Sequence, residues 1–298
     1  MSISIIQQRL NFYQCRSAQE EEHALREITQ EVALAALSRT GFFKHAVFHG
    51  GTSLRILYGL NRFSEDLDFM LRASNLKFNL DMYLREMVHE FEAYGYSIEI
   101  VDRSKAENPI KKAFLKDDSL GKVLQLGHML ADRSTRKIRV KVEVDSNPPS
   151  GSGYENKFLD FPYVFSLTVQ NQESLFAGKI HALLCREYVK GRDWYDFIWY
   201  AGRGTLINFH FLAQALKQNG PWKGKQIKID LDWCADELTK KIEQLDWSNA
   251  KRDVERFIKI RELPSVELWG KELFLNRLKN YVSAEGANTP GRRRQKEG

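Results

Sequence analysis

Apolar residues recur at helical spacing over residues 18–39, where Leu25, Ile28, Val32, Leu34 and Leu37 form a stripe and Gly41 is a natural stop. The segment AVFHGG reads as a short buried strand that runs into a glycine pair, and TSLRILYGL as a short helix with Leu54, Leu57 and Tyr58 on one side. In SEDLDFML the pattern alternates. Leu67, Phe69 and Leu71 face one way and Asp66, Asp68 and Met70 the other, as in a half-buried strand. Helical periodicity returns over 78–95, followed by two strand candidates, YSIEIVD and KVLQLGHML. KIRVKVEVD has the clearest alternation: Val140, Val142 and Val144 share one face, and Lys141, Glu143 and Asp145 share the other. SNPPSGSGYENK reads as a loop. From about residue 173 the texture becomes helical, which places a boundary near 170. The expected organisation is a mixed α/β part over 1–170, a mainly helical part over 171–285 and a disordered basic tail over 286–298.

Composition narrows the class. The 298 residues are 43% hydrophobic and 28% charged, as in globular chains. No apolar run reaches the ~18 residues of a membrane span, and the N-terminus lacks the features of a signal peptide. The three cysteines, Cys15, Cys185 and Cys234, form no CxxC or zinc pattern and read as reduced thiols of a cytoplasmic protein. The net charge of +6 favours a polyanionic partner. Half of it lies in the last nine residues, PGRRRQKEG, with four positive charges and one negative.

Candidate chemistry concentrates in two stretches. In the first, Gly50 and Gly51 let the backbone turn tightly and bring N–H groups close to a ligand. A helix starting there adds free N–H groups and its positive end. With the hydroxyl of Thr52, this forms a cradle for a triphosphate, although a Gly-Gly turn alone is also an ordinary turn. Asp66 and Asp68 sit at i and i+2 of a strand and so face one site. Such a pair repels unless a cation intervenes, and Mg²⁺ (or Mn²⁺) shared with substrate phosphates suits it; a solvated strand edge is the plain alternative. Glu143 is the candidate third carboxylate, preferred to Asp145, which adjoins a loop where aspartate often serves a turn. Such a carboxylate completes a metal site or accepts the proton of an attacking hydroxyl.

In the second stretch, FAGKIHALLCREYVKGRDWYDFIWY, helical spacing puts Lys179, Ala182, Leu183 and Arg186 on one side. Arg192, Asp193 and Asp196 follow the Gly191 break, with the two aspartates one helical turn apart. An internal salt-bridge set and a phosphate-binding lysine steadied by aspartate both fit this pattern.

The run GGTSLRILYGLNRFSEDLDF resembles the AbiEii-type toxin nucleotidyltransferases, a branch of the DNA polymerase β-like superfamily. Thirteen residues separate Thr52 from Asp66, a little more than the commonest spacer, and Arg55, Arg62 and Ser64 match habits of that branch. The branch's third carboxylate falls on Glu143, and its later K-xx-AL-xx-R and RD-xx-D motifs fall on Lys179 to Arg186 and Arg192 to Asp196. The matching motifs span about 48–200, and nothing after 205 matches residue by residue. The resemblance implies an α+β fold, with a small mixed twisted sheet of polymerase β-like type flanked by helices and followed by a helical domain. It implies Asp66, Asp68 and Glu143 as metal ligands. Catalytic roles extend to Lys179, Asp193 and Asp196, and nucleotide contacts to Gly50, Gly51, Thr52, Ser53, Arg55, Ser64, Lys179, Arg186 and Arg192. It also implies NTP and Mg²⁺ as ligands, an antitoxin partner, and transfer of NMP to the 3′ end of tRNA. Modification of a protein or small molecule, or a non-catalytic binding module, are the rival readings.

Overall fold

The computed structural model describes residues 2–103, 108–117, 124 and 138–288. The chain divides into two compact units, Met1–Pro148 with Tyr154–Val169, and Pro149–Gly153 with Gln170–Gly298.

The first unit carries a sheet in the order β3-β4-β5-β2-β1-β7-β6. Its strands are β1 (Ala46–His49), β2 (Asp66–Leu71), β3 (Ile98–Asp102), β4 (Ile110–Asp117), β5 (Ile138–Asp145), β6 (Tyr154–Leu159) and β7 (Phe165–Gln170). The helices are α1 (Ser2–Phe12), α2 (Ala18–Arg39), α3 (Gly50–Tyr58) and α4 (Asp81–Ala93). Ser17 caps α2 by accepting from Glu20 N at 3.2 Å, and Glu20 returns a bond to Arg16 N at 3.0 Å. From Ala24 to Leu37 the apolar side chains of α2 are buried, packed in one core with Leu67, Phe69 and the fully buried Val140, Val142 and Val144. One face of β2 and β5 is thereby committed to the core. The period of two sends Asp66, Asp68 and Glu143 to the other.

The central pairing is parallel, β2 beside β5, with β1 antiparallel to β2 and β4 antiparallel to β5. Two strands carry no hydrophobic signature. The buried side of β4 includes Lys111 and Asp117 beside Ala113 and Leu115, which breaks the alternation a sequence reading relies on. β6 is half-buried at best, so YENK, expected as loop, is strand without an apolar face. Most of the strand candidate KVLQLGHML and the tail beyond residue 288 lie outside the described residues.

The second unit contains α5 (Gln172–Cys185), α6 (Gly191–Gly202), α7 (Phe209–Gln218), α8 (Leu231–Gln244), α9 (Trp247–Glu255), α10 (Leu263–Glu267) and α11 (Lys271–Asn288). Asn171, Asn208, Asp230 and Asp246 each cap a helix through the side chain. Aromatic rings fill its core: Phe176 stacks on Tyr200 at 4.5 Å and Trp247 on Phe274 at 4.2 Å. No described helix is long and apolar enough to cross a membrane.

Candidate active site

β1 delivers the chain to the glycine pair. His49 is the extended residue before α3, and Gly50 takes φ +79°, a conformation that glycine adopts without cost. A Cβ at Gly50 would lie 2.5 Å from Asp68 Oδ2, so the start of α3 is packed directly against that carboxylate. A Cβ at Gly51 would lie 2.6 Å from Arg62 Nη2 and 3.1 Å from Ser64 Oγ. Gly50 is therefore required by backbone freedom as well as by close approach, and Gly51 is closely packed by the Arg62 guanidinium and Ser64. The first N–H groups of α3 have no intrahelical partner, as at any helix start.

The hydroxyls of this turn point inward. Thr52 is fully buried, and its hydroxyl donates to the Asp66 carbonyl. Ser53 Oγ donates to Gly50 O at 2.8 Å. Thr52 thus locks α3 to the start of β2, and what this turn offers a phosphate is backbone N–H. Arg55 is likewise committed: it donates to Glu27 at 2.8 Å and to the carbonyls of Leu60 and Asn61 at 3.1 and 2.7 Å, and it lies over the Phe63 ring. It shapes the loop that leads into β2. Ser64 O accepts from Gln30 Nε2 at 3.2 Å, and Arg62 is buried under the turn.

In the parallel register of β2 and β5, Asp68 is paired with Glu143 and Asp66 with Lys141. Three carboxylates and a lysine share the polar face. Lys141 Nζ lies 3.0 Å from Glu143 and 3.5 Å from Asp66, while Lys112 of β4 reaches Glu143 at 2.9 Å. Burial, and next the Asp68 charge, raise the Asp66 pKa, with Lys141 opposing. For Glu143 burial also acts upward, but hydrogen bonds from Lys112 and Lys141 outweigh it and the pKa falls. Asp145 stands apart in role: it accepts from Asn147 N at 2.9 Å and so closes a turn. Among the described residues no three His, Cys, Asp or Glu side chains are gathered as a ready-made metal site. The donor set nevertheless fits a hard cation, since Asp66 and Asp68 are oxygen ligands on one face whose mutual repulsion a divalent ion relieves. Lysine supplies the balancing charge here. Lys112 went unnoticed in the sequence, where only the i, i+2 spacing of Lys112, Phe114 and Lys116 marks its face.

In the helical unit, Lys179 Nζ contacts Asp193 at 2.6 Å and Asp196 at 2.8 Å, and Arg186 also pairs with Asp193. Both aspartates are buried. Burial pushes Asp193 upward, but Lys179, Arg186 and Lys190 prevail and hold it at about 2. Arg186 is not on the helix face as expected. It is the extended residue that ends α5, and it reaches Asp193 from the loop. Arg192 is tied to α9: its N–H donates to Asp253 Oδ2 at 3.2 Å and its guanidinium lies 3.9 Å from the Phe257 ring centre.

Two solved structures from Helicobacter pylori are similar to the chain, each at 18% identity. One, described as a candidate nucleotidyltransferase, is matched over 86% of this chain and 92% of its own with a TM-score of 0.47. The other, JHP933, is matched over 88% and 92% with a TM-score of 0.49. Among curated proteins no match was found. Residues 32–269, which take in the glycine turn, all three carboxylates and the Lys179 cluster, match the family described as "Nucleotidyl transferase AbiEii toxin, Type IV TA system". The chain belongs to the AbiEii family of nucleotidyltransferase toxins of type IV toxin–antitoxin systems.

Proposed function

We propose that this nucleotidyltransferase toxin moves a nucleoside monophosphate from an NTP to the 3′ end of an RNA, with tRNA as the favoured acceptor, in the cytoplasm and under the control of its cognate antitoxin. The pairing of Asp68 with Glu143 across β2 and β5, with Asp66 beside them, carries this reading. Asp66 and Asp68 would hold Mg²⁺, which when bound neutralises the phosphates and orients them for in-line attack. The backbone N–H groups of Gly50, Gly51 and Thr52 bind the β- and γ-phosphates, as helix starts do.

Glu143 remains ionised at neutral pH because of its two lysines, and it accepts the proton of the attacking hydroxyl or completes the ligand set. Lys141, between Asp66 and Glu143, balances the carboxylate face and would compete with a divalent cation for the same oxygens. Lys179 is the residue of the helical unit assigned to the donor phosphates. Asp193 and Asp196 are its positioning residues, since they are buried and hold its ammonium from two sides. The net charge of +6 favours RNA over a small-molecule acceptor.

The test is to incubate the protein with each labelled NTP, Mg²⁺ and total cellular RNA, with Asp66→Ala/Asp68→Ala as control. Label on RNA that the double variant abolishes is expected. Label on protein alone moves the acceptor to the rival class, and undiminished label in a folded double variant removes the carboxylate mechanism.

A further inference from the structure

The helical unit contains a cavity of about 170 Å³, and of its lining only Asp193 enters the mechanism above. It opens where α5 gives way to α6 and is closed from the side by α8. Arg186, Lys190 and Lys241 line it, with Tyr188 at the mouth and Leu183 and Trp194 as apolar wall. Lys190 is the residue just before α6, and Gly191 behind it is packed so closely on the Ala250 carbonyl that a side chain there would collide. The loop holding the cations is therefore anchored.

The charges in this cavity do not cancel locally. Asp193 also lines it, but its two oxygens already accept from Lys179 and Arg186. Lys241 Nζ donates to the Arg186 carbonyl at 3.3 Å, which leaves its positive charge uncompensated. Glu187 is at the exposed rim, and no ion pair joins it to these cations. Among the described residues the half-buried Lys190 ammonium makes neither a hydrogen bond nor an ion pair. A cation kept partly out of water among other cations, with the nearby Asp193 charge already shared by Lys179 and Arg186, is costly unless a ligand brings further negative charge. The titration of Lys190 agrees: burial, with Arg186, Arg192 and Lys179 nearby, lowers its pKa to about 8 although Asp193 opposes.

The neighbouring ring completes the chemistry. Tyr188 is 66% exposed, large for an aromatic residue, and the Arg186 guanidinium lies 5.7 Å from its ring centre. Cations around a small cavity with an exposed aromatic platform at its mouth match a phosphate with a nucleobase attached.

We propose that this cavity is a nucleotide subsite, in which Lys190, Lys241 and Arg186 bind a phosphate and Tyr188 stacks on the base. The phosphate belongs either to the RNA strand being modified or to a free nucleotide. The inference rests on the reading of the protein as one that handles nucleotides, but not on the carboxylate chemistry.

Binding is measured without Mg²⁺ on the full chain, by fluorescence polarisation of a labelled single-stranded RNA hexamer and by calorimetry with ATP. Inorganic phosphate serves as competitor. Lys190→Met and Lys241→Gln are each expected to weaken one probe about tenfold, Lys190→Arg to retain it, and Tyr188→Ala to weaken the same probe about fivefold or more. Loss confined to the hexamer identifies the acceptor strand, and loss confined to ATP a free nucleotide. Wild-type affinity for that probe should also fall as pH rises through 8 to 9.5, and Lys190→Arg should flatten the dependence. This arm decides the matter if Lys190→Met fails to fold. Competition by inorganic phosphate with no effect of Tyr188→Ala overturns the nucleotide assignment, and unchanged affinity for both probes with a flat pH profile overturns the site. The measurement is made without Mg²⁺ and reads only substitutions in this cavity, so a failure of carboxylate-dependent transfer leaves this result standing.

Discussion

The side chain of Asp68 occupies the space that a Cβ on Gly50 would need, with 2.5 Å between that position and Oδ2. The glycine turn and the carboxylate strand are thus one fitted unit.

Gly50→Ala should be damaging for two separable reasons. The φ of +79° costs an alanine about 1–2 kcal/mol, and the methyl displaces Asp68. A modest drop in melting temperature with a far larger loss of nucleotide transfer is expected. Transfer at the wild-type rate would show that the contact is dispensable.

Thr52→Val removes the hydroxyl that holds the Asp66 carbonyl while preserving shape. The loss of that buried bond should cost about 1–3 kcal/mol in denaturant unfolding. Thr52→Ser should restore most of it. If the hydroxyl instead served the ligand, calorimetry would show a loss of NTP affinity with unfolding unaltered.

Lys141→Met should tighten Mg²⁺ binding, because the ammonium at 3.5 Å from Asp66 and 3.0 Å from Glu143 competes with the ion for the same oxygens. Titration calorimetry in the absence of nucleotide is the check, and a weaker Mg²⁺ affinity in the variant would argue against competition.

Lys179→Ala leaves two buried aspartates without their shared cation, which should destabilise the helical unit by about 3–5 kcal/mol. Unfolding should therefore be measured before any loss of NTP affinity is assigned to Lys179. A folded variant of wild-type stability would leave the ion pairs without weight.

Asp193 predicts an acid transition of defined sign. Its folded pKa of about 2 lies below the ordinary aspartate value of 3.8, so its contribution is complete above that value and disappears as pH falls towards 2. The gain is on the order of 2 kcal/mol. Asp193→Asn should flatten stability between pH 4 and 2, as followed by circular dichroism in urea.

Much of the site's polarity could be read from the chain alone. Helix 18–39 appears with the boundaries its periodicity suggests, because Ser17 and Glu20 provide a local start signal. The faces of DLDFML and VKVEV follow from the strand period of two, which is a property of each segment by itself. The same period says nothing about which strand lies alongside. That Asp68 meets Glu143, that Lys112 and Lys141 balance them, and that Thr52 turns its hydroxyl to Asp66 are decided by long-range pairing. β4 eluded the pattern because half of its buried face is charged, and such burial is stable only once tertiary partners exist. Arg186 shows the same limit: helical spacing extended α5 through it, whereas in the folded chain it leaves the helix and pairs with Asp193. The sequence by itself thus determined which residue types face away from the core, through local periodicity and capping. Only the tertiary structure decided which charges meet, because that depends on strand register and on burial shared between segments far apart in the chain.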